Sequence, residues 1–220
     1  MTSEIYKKNE SSILAAVVFV EWAKNRIHRI EVPNPNLRKR LSWTSFGISI
    51  DLCDSIQVLC MSGSKTGAFV LLRSSLENYY RGLWIAYVAN EETMKRILEG
   101  RETKTLKNLI KIVRAADIPS IETDDLIGLE NKVSILDDLA HGGTKAINSR
   151  NPGGYEVGSS GMNKNDIFVL LSMSCSTIWL CVEHIIRVSF ENEADASLCR
   201  EEGSILFKKL MDTFEIEGNS

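Results

Sequence analysis

Leu72, Leu76, Tyr79, Leu83 and Tyr87 recur at spacings of three and four. That period draws one apolar stripe along a helix running from position 65 to about Asn90. Val70, Leu71, Ile85 and Val88 put further apolar surface on much of the remaining circumference. What is left is a narrow strip: Arg73, Glu77, Arg81 and Trp84 fall within about 80° of arc. A helix facing solvent shows a broad polar face, so this pattern predicts a mostly buried helix with one row of charges.

The same period predicts helices along most of the chain. Ser11 and Ser12 can cap one that runs to about His28, with Ile13, Ala16, Val17, Val20 and Ala23 as its apolar face. VPNPN at 32–36 breaks it, and a second helix is expected over 44–60 with Phe46, Ile50, Cys53 and Gln57 along one side. Shorter amphipathic pieces follow near 91–99 and 103–116. Another is expected from Thr123 to His141, opened by Asp124 and Asp125 and stopped by Gly142 and Gly143. Positions 142–162 hold six of the 14 glycines and read as a long loop, with a short hairpin at Tyr155–Val157 as its one strand candidate. Helix resumes over 165–188 and again over 195–214. The expectation is an all-α protein: one helical domain over 1–220, a bundle of about six to eight helices with 65–88 and 165–188 at its centre.

Composition fits that picture: 44% of residues are hydrophobic and 25% charged, a soluble globular balance. A net charge of −3 gives the whole molecule no general attraction to nucleic acid or anionic membrane, so any such contact would be a local patch. The five cysteines form no CxxC pair and no zinc-spaced cluster. They read as reduced core thiols of a cytoplasmic protein that uses no metal and no cofactor. IFVLLSMSCSTIWLCV at 167–182 is the nearest approach to a membrane span. Its 16 residues include four hydroxyl side chains, and Glu183 and His184 follow directly. That is short of the roughly 20 residues a bilayer requires, so a buried core helix without a membrane is expected.

Two constellations carry chemistry. Arg73, Glu77 and Arg81 stand at i, i+4 and i+8, so Glu77 can bridge both guanidinium groups. One positive charge is left over. Either Asp137 or Asp138 of another helix answers it, or a phosphate or carboxylate ligand does. In DDLAHGG (137–143), Asp137 can orient His141, which ends a helix where the dipole favours imidazolium. His141 is thus either a C-terminal cap or a general acid or base. Other signals read as structural. MSGSKTG (61–67) lacks the spacing of a phosphate-binding loop. His184 reads as a packed histidine, and LRKRLSW (37–43) as a solvated basic connector.

RSSLENYYRGLW (73–84) followed by LAHGG (139–143) resembles a group of bacterial all-helical proteins. These pair an R-x3-E-x3-R-G-[LI]-W helix with a later His-Gly motif. The group is similar in turn to the HEPN superfamily of helical nucleotide-binding domains, many of which dimerise and act as RNases in phage defence and toxin–antitoxin pairs. The resemblance implies a helical fold, a homodimer, and Arg73, Glu77, Arg81 and His141 as the residues of interest. The RNase members carry an Arg followed four to six residues later by His on one helix, and no such pair occurs here.

Two functions are then expected to compete. In one, Arg73, Arg81 and Asp137 bind an anionic nucleotide or RNA phosphate, with His141 and Glu77 as catalytic groups of a ribonuclease-type toxin or defence component. In the other, the Arg-Glu-Arg ladder is structural and the chain is a non-enzymatic homodimeric or partner-binding module.

Overall fold

In the computed structural model, residues 7, 9–28, 31–116, 118, 133, 136–138 and 162–216 are described. Among them there are helices and no strands, so the protein is all-α. Five α-helices precede the 139–161 segment: α1 (Glu10–Ile27), α2 (Leu37–Ser62), α3 (Lys65–Leu83), α4 (Glu91–Leu98) and α5 (Leu106–Ala115). A π-helical turn (Trp84–Val88) continues α3, and α6 (Lys164–Ser189) and α7 (Glu193–Ile216) complete the bundle. Val133 and 136–138 are helical, within the helix expected over 123–141. The rest of that helix, the glycine-rich loop at 142–162 up to Gly161, and the candidate hairpin lie outside the described residues.

Local chemistry explains most of the ends. The Asn36 side chain accepts from the Lys39 amide and starts α2, and Gly63, at φ 74, ends it in the left-handed region that glycine tolerates. Asn163 and Asp166 form a reciprocal capping box at the start of α6. Asn90 caps α4 by accepting from Thr93 N at 2.8 Å.

Helix α6 is the centre. It packs against α1, α2, α3 and α7, with Leu170, Leu171, Cys175, Ile178, Cys181 and Val182 fully buried. It has the length and hydropathy of a membrane span, yet 67% of that window is buried inside the protein, as in a core helix. Across the α2–α3 contact the chain approaches closely. A Cβ on Gly82 would lie 2.5 Å from the Phe46 ring, so only glycine lets the two helices meet there.

Two expectations change. Helix α2 begins at Leu37, seven residues before Thr44, because Asn36 supplies a cap. LRKRLSW is therefore helical and not a connector, and two of its cations are committed internally. Lys39 is buried, pairing with Glu191 at 2.9 Å and donating to the Pro33 carbonyl. Arg38 donates to the carbonyls of Ile85 (2.6 Å), Ala86 (3.2 Å) and Ala89 (2.6 Å). A π turn shifts backbone pairing by one residue and leaves carbonyls at its end without helical partners, and Arg38 takes them up. Arg38→Ala should therefore cost about 2–3 kcal/mol, seen as a lower denaturation midpoint at unchanged m-value.

Candidate functional site

Helix α3 presents its charged row as the spacing predicts. Glu77 bridges, accepting from Arg73 Nη1 through one carboxylate oxygen and from Arg81 Nη2 at 2.6 Å through the other. The fourth member is Asp137, which accepts from Arg73 Nε at 2.8 Å across 64 positions of chain. Arg73, Glu77, Arg81 and Asp137 are thus brought together, and two positive charges meet two negative ones. His141 lies outside the described residues, so its relation to this group is not part of the geometry.

The row is half-buried: 18% of the Arg73 side chain is exposed and 30% of that of Arg81. Burial by itself would lower the Arg73 pKa, but hydrogen bonds to Asp137 and Glu77 and their charges raise it above its ordinary value. Arg73 is a permanent cation with both sides occupied. Glu77 has a guanidinium on each oxygen, so each carboxylate oxygen is engaged once and keeps one further lone pair. Arg81 keeps donors that engage nothing among the described residues. One turn further on, Trp84 carries Lys104 over its ring, with Nζ 4.8 Å from the centroid.

A second polar group lies deeper, where α3, the π turn and α6 meet. His184 is fully buried, its ring stacked on Phe46 and its Nδ1 sharing a 2.9 Å hydrogen bond with the Tyr87 hydroxyl. Its Nε2 has no hydrogen-bond partner among the described residues. Burial, then the nearby Arg187 and Arg200, depress its pKa from 6.5 to about 3, so the imidazole is neutral. Glu183, wholly buried, accepts from Arg187 at 2.8 Å, and Arg187 also pairs with Glu193. The sequence reading of His184 as a packed histidine agrees with this placement.

The thiols offer no nucleophile. All five cysteines are free and buried, and burial pushes Cys53 and Cys60 up to about 12. No group of His, Cys, Asp and Glu among the described residues has the arrangement of a metal site.

A family model described as "Family of unknown function (DUF6988)" matches residues 46–189, which spans most of α2 to the end of α6 and includes the whole charged row. Helices α1 and α7 flank the matched region. No curated protein and no solved structure matches the chain.

Proposed function

The chain belongs to this DUF6988 family of unknown function, and we propose that it is a non-enzymatic, homodimeric interaction module whose Arg-Glu-Arg row is a structural ladder. The observation that carries this reading is Asp137. It supplies the anion that the row lacks, so no charge is left asking for a ligand. A bridging carboxylate between two guanidinium groups on one helix, tied to a distant segment, fixes helix register.

The outer face formed by α1 and α7 supports the dimer. Leu14 and Val18 on α1, and Leu198 and Ile205 on α7, are exposed, Val18 at 60% and Ile205 at 58%. The two helices run antiparallel, since Ser12 meets Thr213 and Trp22 meets Glu202. Glu21 and Lys209, on either side of Val18 along the face, are exposed and have no ion-pair partner among the described residues. A two-fold axis crossing the helices brings the Glu21 side of one copy over the Lys209 side of the other, which suits a second copy of this chain. The resemblance to HEPN proteins, many of which dimerise, supports a dimer. Buried, unpaired thiols suit a reducing, cytoplasmic setting.

Phosphate binding is the second reading, favoured by the unengaged donors of Arg81. In it Arg73 and Arg81 hold a nucleotide or RNA phosphate, and His141 and Glu77 act on it. Glu77→Ala separates the two. A structural ladder predicts a loss of about 1–3 kcal/mol, discounted for the partial exposure of the row, with no nucleotide binding before or after. An unaltered melt, with binding of a nucleotide to the wild type lost in the variant, would overturn the structural reading.

A further inference from the structure

Residues 95–114, KRILEGRETKTLKNLIKIVR, carry seven cations and two acids, against a net charge of −3 for the whole chain. The rest of the molecule is therefore acidic, and positive charge is concentrated on α4, α5 and the residues that join them. Helix α5 is built to show it. Leu106, Leu109, Ile110 and Val113 are buried against the protein, while Lys107 and Lys111 point to solvent one helical turn apart, at about 6 Å of rise. Neither lysine has an ion-pair partner among the described residues. Lys104 sits one turn before Lys107, steered by Glu102 at 2.8 Å and by the Trp84 ring.

In α3, α4 and α6, by contrast, acids stand four residues from cations: Arg73 and Arg81 with Glu77, Lys95 with Glu91, Arg187 with Glu183. In α5 the i, i+4 partner of Lys107 is another lysine. Like charges at that spacing destabilise a helix slightly, a cost that disappears when a row of anions lies across them. The face around the lysines bears Thr103, Thr105 and Asn108; the exposed large hydrophobic of the basic segment is Leu98, at the end of α4, and residues 99–116 include none. A protein partner would want an apolar anchor at the centre of the contact. A row of cations and hydrogen-bonding groups without one fits a phosphodiester backbone.

We propose that the face formed by Lys107 and Lys111 on α5, with Lys104 just before it, binds the phosphate backbone of a nucleic acid without reading its sequence. This surface is separate from the α1–α7 dimer face and adjoins the end of the charged row through Trp84, over whose ring Lys104 lies. Fluorescence anisotropy of the full chain with labelled 20-nucleotide single-stranded RNA, single-stranded DNA and duplex DNA tests it, with poly-glutamate as competitor. Wild type should bind at least one of the nucleic acids at 50 mM salt in the range of about 10⁻⁴–10⁻⁶ M and weaken steeply as salt rises, as counterion release requires. Which of the three binds tells RNA from DNA and single strand from duplex. The double variant Lys107→Glu/Lys111→Glu should bind at least about tenfold more weakly, with an unchanged melt because both side chains are exposed. Absence of binding by wild type to all three would overturn the proposal. So would equal binding by the variant, or displacement by poly-glutamate at matched charge.

Discussion

Lowering the pH from 7 to 4.5 will destabilise the protein, and His184 will be the largest single contributor. Its imidazole is neutral when folded, with a pKa near 3, because the site is dry and Arg187 and Arg200 add positive potential. The unfolded chain takes up that proton near the ordinary 6.5. Stability linked to His184 is thus fully present above pH 6.5 and is lost as pH falls toward 3. A shift of this size has a ceiling of about 5 kcal/mol, of which about 2–3 kcal/mol is gone by pH 4.5. Two surface carboxylates change stability in the same direction at lower pH: Glu102, lowered chiefly by its hydrogen bond with Lys104, and Glu202, lowered by Arg26 and then Trp22. The difference between wild type and His184→Gln isolates the histidine. Urea titrations at pH 7 and 4.5 should show the wild-type midpoint falling steeply while the variant, weaker at pH 7, falls little further. Parallel loss in both proteins would show that His184 is protonated in the fold.

The second large effect belongs to Arg187. Glu183 is completely buried and Arg187 is its cation. In Arg187→Ala the carboxylate keeps its burial and loses its partner, for which about 3–5 kcal/mol is expected. In a protein of this size that amounts to a fall in Tm of roughly 6–20 °C. The double variant Arg187→Met/Glu183→Met removes both charges and keeps volume, and should recover most of the loss. A calorimetric scan of the three proteins measures this. A double variant as unstable as Arg187→Ala would mean that packing, and not a stranded charge, sets the cost.

Strong periodicity made the bundle legible in the sequence. The stripe Leu72, Leu76, Tyr79 and Leu83 is buried as its spacing requires, and the apolar run at 167–182 lies in the core helix α6. The row on α3 was also legible, down to the bridging role of Glu77 and the naming of Asp137 among the anions able to answer it. Other features were harder to see for physical reasons. Asn36 looked like part of a breaker, VPNPN, and its capping role moved the start of α2 back over a run of cations. Arg38 serves a turn some fifty positions later, which no local pattern encodes. The basic face of α5 escaped notice because its cations are spread at helical spacing, whereas LRKR, which draws the eye, has two of its cations engaged internally. His141, the proposed acid or base, falls outside the described residues.

The account holds that this chain works by association and that its charged row is scaffold. Light scattering on the wild type and on Val18→Glu tests that most directly. The chain is 24.6 kDa. The wild type should have twice that mass, and Val18→Glu, a charge placed in the centre of the α1–α7 face, should have the single-chain mass and remain folded. A wild type that stays at the mass of one chain at all concentrations would contradict the account.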